Sequence, residues 1–341
     1  MPATYEELLT NLSQLITDYR IQDQNEAYAT ERTGIPVMDV EHVLTWIEQF
    51  DAGVREGVLR ATYDVLNKTY VSKDQINIFL RGLLHNPGLT GGNSQQFWSG
   101  VNLLQLQTVG NSQCDFLALL KEHLLSELNI EHSGVGTSHD SFLYLDDISF
   151  SGGRILSDLL TWIETAPNEA TVNIVVLVNH TYGEWYVQEK LNEKVADCNK
   201  NITFTWWRYY SLENRTSRIE SSDVLRPRLC PELHIVQDYY QNINSEENQI
   251  VFRRMNGVGS ARLFPDGASR NLLEQEFLKK GVQIRADCPN LNVYQRPLGN
   301  MLFPAFGFGS MFVTYRNCPN NTPLVFWVGS PWYPLFPRVT N

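Results

Sequence analysis

Cysteine is sparse and scattered. The five residues Cys114, Cys198, Cys230, Cys288 and Cys318 form no C-x-x-C pair, so neither a zinc knuckle nor a dithiol redox motif is expected. An odd number of isolated thiols fits a reducing cytosol, and a cytoplasmic location is expected. The seven histidines are equally dispersed, with no H-E-x-x-H. No run approaches about 18 uninterrupted apolar residues, so neither a membrane span nor a membrane partner is expected. The opening stretch, MPATYEELLTNLSQLI, is acidic early and amphipathic and lacks the basic and apolar regions of a signal peptide. Triplets such as Asn67-Lys68-Thr69 and Asn201-Ile202-Thr203 then read as chance matches to a glycosylation site.

Positive charge is also in deficit. Lys and Arg number 27 against 38 Asp and Glu, a formal charge of −11, which opposes nonspecific binding to a phosphate backbone. Arg208, Arg215 and Arg218 make one basic cluster and Arg253 with Arg254 another; both read as solvated surface charge. A G-x-x-x-x-G-K-[ST] loop is missing, and so is a G-x-G-x-x-G after the first strand of the α/β region. The adjacent acids at 146 and 147 do not make the Asp-x-Asp of aspartyl phosphatases.

What the chain does have is apolar bulk. It is 43% hydrophobic and contains eight Trp, fifteen Tyr and sixteen Phe, enough to fill a core and to argue against disorder. A length of 341 residues suggests two packed units, or one core with large additions. Internal repeats and low-complexity tracts are absent.

Roughly the first ninety residues have helical periodicity: Tyr5 to Tyr19, Val40 to Phe50, Val54 to Leu66, and Lys73 to Leu84 with Ser72 as N-cap. Asn86-Pro87-Gly88 and Gly91-Gly92-Asn93 make a loop and a candidate boundary. Strands then alternate with helices. Val101 to Thr108, Phe142 to Leu145, Val172 to Val178 and Ile202 to Trp207 read as strands. Cys114 to Leu128, Ile155 to Thr165 and Gly183 to Asp197 read as helices between them. Such alternation predicts a parallel sheet with helices on both sides, with ligands at the carboxyl ends of the strands. Beyond about Leu212 the pattern loosens: Asp266 to Lys280 looks helical, and Met311 to Tyr315 and Leu324 to Val328 look like strands. The expected organisation is α/β: an N-terminal helical region (1–92), a parallel-sheet core with flanking helices (93–215), and an irregular α+β extension packed on that core (216–341).

The stretch FLYLDDISFSGGRIL, Phe142 to Leu156, falls at such a strand end. The first N–H groups of a following helix attract an anion, and Gly152 and Gly153 let backbone come close to it. Ser149 and Ser151 add hydroxyl donors and Arg154 a charged fork. Asp146 and Asp147 have the opposite preference, for vicinal hydroxyls or a divalent cation. A phosphate cup beside a diol acceptor describes a ribose 5-phosphate site. Gly110 to Gln113, between the first strand and its helix, could meet the same ligand near a pyrophosphate through Gly110, Ser112 and Gln113. With no Lys or Arg, it reads equally as a simple turn. Asn317 to Pro323 reads as a lid or as ordinary turn residues.

YLDDISFSGGR resembles the phosphoribosyl diphosphate motif of type I phosphoribosyltransferases: a hydrophobic strand, two acids, three variable residues, then Thr-Gly-x-Thr. Asp146 and Asp147 match the acids that contact ribose hydroxyls, Ser151 replaces the first Thr, and Gly152 matches the Gly. Arg154 stands where Thr or Ser is usual. Phe150 stands where purine-salvage members carry an Asp beside the base, so purine salvage is not expected. WIEQFD (Trp46 to Asp51), LLQLQTVGNSQ (Leu103 to Gln113) and NCPNNTPLVFW (Asn317 to Trp327) resemble a divergent phosphoribosyltransferase-like group associated with bacterial antiphage systems, retrons among them. The resemblance implies Mg²⁺ held by Asp146 and Asp147 with a phosphoribosyl diphosphate-type ligand. It further implies a glycosyltransferase acting on a nucleotide or nucleic acid, in company with a protein or ribonucleoprotein partner. The alternative it leaves open is a non-catalytic sensor of the diphosphate or of a nucleotide.

Overall fold

The computed structural model describes residues 3–24, 34–107, 112–228, 233–243, 252–253, 262–299 and 307–338. In chain order its elements are α1 (Tyr5–Leu15), α2 (Val40–Ile47), α3 (Arg55–Thr69), β1 (Tyr70–Val71), α4 (Lys73–Leu84), α5 (Pro87–Thr90) and α6 (Ser94–Gly100). There follow β2 (Asn102–Leu104), α7 (Ser112–Leu128), β3 (Ser141–Ser149), α8 (Gly153–Thr165), β4 (Glu169–His180), α9 (Thr181–Asp197) and β5 (Asn201–Leu212). The last described elements are α10 (His234–Ile243), α11 (Gly267–Asp287), β6 (Val313–Thr314) and α12 (Leu324–Trp327).

The chain divides into two compact units, one of residues 74–212 and one of residues 1–73 together with 213–341. Sequence periodicity places a boundary near residue 92 and treats the two ends of the chain as separate regions; the structure joins them. The reason is pairing between residues far apart in the chain. β1 lies parallel to β6, with Tyr70 opposite Val313. Trp46 Nε1 donates to the Val325 carbonyl at 2.9 Å, and Tyr19 Oη donates to the Pro337 carbonyl at 2.9 Å. Trp46, Phe50, Phe277, Phe326 and Trp332 meet edge to face or tilted in the core of this unit.

Local chemistry sets the helix starts. Thr4 and Glu7 form a reciprocal capping box ahead of α1, Asp39 caps α2 by accepting from His42 N–H at 2.9 Å, and Asp266 caps α11 from outside its first turn. Leu324 to Trp327 form one helical turn rather than the expected strand. A four-residue apolar run does not distinguish the two, and Pro323 immediately before it sets a helix-compatible entry.

Arg253 departs furthest from expectation. It is buried, not solvated: its guanidinium bonds both carboxylate oxygens of Glu274 at 2.5–3.1 Å, and Asn271 accepts from it too. Arg270 Nε reaches the same carboxylate at 2.9 Å. Arg254 lies outside the described residues. Arg208 and Arg215 pair with Glu184 and Glu213 respectively and are partly exposed.

The unit of residues 74–212 is built on a four-stranded, all-parallel sheet in the order β2-β3-β4-β5. Tyr144 stands opposite Ile174, which stands opposite Trp206, so side chains of like parity share a face across the sheet. On one face Tyr144, Val172, Ile174 and Val176 pack with Ile155, Leu159 and Ile163 of α8 and with Val187 and Leu191 of α9. Leu143, Leu145, Val175 and Leu177, of the other parity, are also fully buried, and α7 packs against β3. Burial on both faces explains the near-continuous apolar run of β4. This α/β arrangement, a parallel sheet flanked by helices, is the one the strand-helix alternation predicts. Asn86-Pro87-Gly88 is not a plain loop: Asn86 accepts from Gly88 and Leu89 N–H and starts the single turn α5.

Candidate functional site

The acidic pair lies near the carboxyl end of β3, two to three residues before the strand ends at Ser149. Strand alternation sends the two acids to opposite faces. Asp146 is 5% exposed. Its Oδ2 accepts from Gln107 Nε2 at 2.8 Å and its Oδ1 from the Asp147 N–H at 2.9 Å. Burial, and then the charge of Asp147, push the Asp146 carboxyl well above the usual range. Asp147 is the more open of the two, and its Oδ1 accepts from the Ile148 N–H at 2.7 Å. Tyr144, on the Asp146 face, donates its hydroxyl to Asp158 of α8 at 2.7 Å and accepts from Gln107 Nε2 at 3.3 Å. Burial and then Asp146 push that phenol upward as well.

The turn from β3 to α8 needs glycine. Gly152 has φ +71°, and a Cβ there would lie 2.2 Å from Val187 Cγ2 of α9. A Cβ on Gly183, in the first turn of α9, would lie 2.4 Å from the Phe150 carbonyl oxygen. Two glycines thus let the turn seat directly on the start of the next helix. Ser151 Oγ accepts from Gly153 N–H at 3.3 Å, and the first intrahelical bond of α8 is Leu156 N–H to Gly152 O at 2.8 Å. The N–H groups of residues 153–155 precede that bond and form the positive end of α8. Gly153 and Arg154 are exposed, and the Arg154 guanidinium makes no ion pair among the described residues.

Ser149 sits elsewhere. As the last residue of β3 it is 2% exposed, its carbonyl accepts from His180 Nδ1 at 2.9 Å, and its buried Oγ has no hydrogen-bond partner among the described residues. A carbonyl partner fixes the proton on Nδ1 of His180 and leaves Nε2 a bare lone pair, also buried and without a partner among the described residues. Burial pushes this histidine down to about 4, so it is neutral at physiological pH. Phe150 meets its ring edge to face at 4.9 Å.

Of the first-turn residues, Gly110 lies outside the described residues, as does the side chain of Ser112, which starts α7. Gln113 is fully buried: Oε1 accepts from the N–H groups of Leu106 and Gln107 at 2.8 and 3.0 Å, and Nε2 donates to the Leu145 carbonyl at 3.4 Å. That amide staples the segment after β2 to β3. Gln107 is the participant the sequence reading missed: it lies within the LLQLQTVGNSQ stretch but reads there as part of a strand that in fact ends at Leu104. Asn317 to Pro323 belongs to the other unit, where Asn321 and Thr322 are buried and Thr322 Oγ1 donates to the Pro319 carbonyl at 2.8 Å. It is a packed turn.

Among the described residues no three His, Cys, Asp or Glu side chains gather in a way that could hold a metal by themselves. A Mg²⁺ ion that arrives with phosphate ligands asks less of the protein, one or two carboxylates, and the more open Asp147 meets that requirement.

A parallel α/β sheet flanked by helices is consistent with a phosphoribosyltransferase-like fold. The chain belongs to the PRTase-CE family, whose family model matches residues 43–338. No curated protein and no solved structure matches it.

Proposed function

We propose that the β3–α8 turn binds the ribose 5-phosphate part of phosphoribosyl diphosphate or of a nucleotide, and that the protein acts as a phosphoribosyltransferase-like effector in a bacterial antiphage system, retron-linked or similar. The observation that supports the binding reading is the order along the chain: Asp147, the more open acid of β3, comes three residues before the turn that leads into the exposed first turn of α8. Arg154 and the N–H groups of the first turn of α8 receive the 5-phosphate, with Ser151 and Gly152 shaping the cup. Asp147 accepts the ribose hydroxyls. Asp146, engaged by Gln107 and the Asp147 N–H, holds the strand end in place. Ser149 and Gln113 act as framework beneath the site, with Gly110 and Ser112 assigned to the pyrophosphate end.

Bound Mg²⁺ would neutralise the pyrophosphate leaving group. The protein's own part is to fix the ribose ring and stabilise charge developing at C1, which is catalysis by positioning and electrostatics. The ligand is a ribose phosphate or nucleotide, the acceptor a nucleotide or nucleic acid, and the partner a protein or ribonucleoprotein of the same system. The exposed Arg154, in a position usually held by a small hydroxyl residue, supports a second reading, a non-catalytic sensor of the same ligand.

Calorimetric titration with phosphoribosyl diphosphate and Mg²⁺ tests the site. Wild-type protein should bind, and Asp147→Asn and Arg154→Ala should each weaken binding at least tenfold. No binding by the wild type removes the proposal. Pyrophosphate release that survives Asp146→Asn/Asp147→Asn after binding is lost would remove the enzymatic role of this site.

A further inference from the structure

β5 forms one edge of the parallel sheet, with β4 as its strand neighbour. The opposite edge is β2, which is three residues long and offers little to pair with. β5 is twelve residues long. Its register with β4 runs without a bulge from Asn201 opposite Glu169 to Leu212 opposite His180. Of its residues Ile202 and Leu212 are buried, and the rest are half-buried or exposed. Open strand edges are ordinarily blunted by brevity, bulges, proline or lysine, because their free N–H and C=O groups invite another strand. The β5 sequence, NITFTWWRYYSL, has no proline, glycine or lysine, and its one charge is Arg208.

One bond gives the direction of the free groups. Asn201 N–H donates to the Asn168 carbonyl at 2.7 Å, on the β4 side. Along a parallel ladder residues alternate, one turning its N–H and C=O to one side and the next turning them to the other. Thr203, Thr205 and Trp207 therefore bond toward β4, while Ile202, Phe204, Trp206 and Arg208 point outward. These outward N–H groups have no acceptor among the described residues, and the Trp206 carbonyl receives only Arg208 Nη1 there, at 3.4 Å. The bulky side chains beside the edge are held in place. Trp206 Nε1 donates to Gln188 at 2.9 Å on one face, and Trp207 Nε1 donates to Asn173 at 2.8 Å on the other.

We propose that β5 is a dimerisation edge: it pairs antiparallel with β5 of a second copy of this chain, about a two-fold axis at Thr205, and joins the two sheets into one. The set of outward residues selects this partner. About Thr205, Ile202 falls opposite Arg208 and Phe204 opposite Trp206, so each outward residue meets another and none is left over. Phe204 and Trp206 then make cross-strand aromatic pairs. The strand's one charge lands opposite Ile202, and the two copies of Arg208 stand about 20 Å apart along the seam, beyond the screening length of about 8 Å. The edge is thus complementary to itself in hydrogen bonding and in charge.

Sedimentation equilibrium of the full chain tests the pairing, and the wild type should be a dimer at micromolar concentration. Phe204→Pro removes an outward N–H and no bond to β4, so it should keep the wild-type circular dichroism and weaken dimerisation about tenfold or more. Thr205→Lys and Thr205→Glu each set like charges together at the axis and should weaken it similarly, while an equal mixture of the two should dimerise again. In the wild type, amide exchange over residues 201–208 should slow as concentration rises, a readout that needs no variant to fold. A monomeric wild type overturns the proposal, as does a dimer indifferent to all three substitutions, which would use another surface. A mixture that stays monomeric overturns the two-fold axis at Thr205. Slowed exchange only on adding an unrelated extended peptide would mean that the edge serves a different chain, and also overturns self-pairing.

Discussion

Gln107 Nε2 lies 2.8 Å from Oδ2 of Asp146, and the same nitrogen lies 3.3 Å from the Tyr144 hydroxyl. One amide thus ties the segment after β2 to the buried acid of β3. Leaving that carboxyl without its donor has a desolvation cost. Gln107→Leu should destabilise the protein by about 1–3 kcal/mol in urea unfolding at pH 7. Gln107→Glu should cost more, because it sets a carboxylate beside Asp146 and Asp147. Equal stability of the Leu variant and the wild type would show that the bond is not formed.

The pH response of the fold follows from two buried histidines, one in each unit. His42 donates from Nε2 to the Leu335 carbonyl at 2.8 Å, and His180 donates from Nδ1 to Ser149. Burial pushes both down to about 4. The unfolded chain takes up these protons near the ordinary value, so stability present above about 6.5 is lost as pH falls toward 4. The loss is about 3 kcal/mol for each histidine if the rest of the site is unchanged. Asp146 runs the other way. Its folded value is raised, so its contribution is present at low pH and falls as pH rises through and above the ordinary carboxylate range. Unfolding free energies measured from pH 8 to pH 4 should fall, with a shallower slope in His180→Gln. Asp146→Asn should be relatively more stable than the wild type at pH 8 than at pH 4.

The turn beneath the proposed phosphate cup is set by backbone geometry. Gly152→Ala meets two obstacles, a left-handed φ of +71° and Val187 Cγ2 at 2.2 Å. The conformation alone costs about 1–2 kcal/mol, and the contact adds to it. Val187→Ala should recover the contact part and leave the backbone part. Thermal melts of the two single variants and the double variant separate these effects. Simple additivity would mean that the two residues do not touch.

Much of the unit of residues 74–212 was legible from periodicity. β3 and β4 were found because alternation and a buried apolar run are local patterns, and the Gly152-Gly153 turn advertises itself by composition; β3, however, reads from the sequence as ending at Leu145, and it continues through Asp146 to Ser149. β5 runs on to Leu212, beyond its apolar start, because Arg208, Tyr209 and Tyr210 look like surface while their backbone continues to pair with β4. The acid pair was visible as a pair, but the unequal burial of its members was not, since it depends on Gln107 and Tyr144 arriving from elsewhere in the fold. Gln113 looked like a loop residue facing a ligand, whereas three backbone groups engage its amide. The joining of both chain ends into one unit leaves no local trace at all, because the β1–β6 pairing spans more than two hundred residues.

The same blindness to distant partners hid the charged core of the unit of residues 1–73 and 213–341, which yields the sharpest stability test. Glu274 is fully buried and accepts from Arg253 and Arg270 and from the backbone N–H of Arg226. Arg226 is buried too, and burial followed by the charge of Arg270 pushes it down to about 9. Glu274 is therefore the carboxylate shared by arginines already destabilised by desolvation. Glu274→Gln keeps the shape but removes the charge, leaving buried guanidinium groups against one another, and should cost about 3–5 kcal/mol. Arg270→Met removes one of those positive charges together with its desolvation penalty and should cost clearly less. Urea unfolding of both variants at pH 7 decides it: equal losses would mean that the cluster is held by packing and that the charge of Glu274 is incidental.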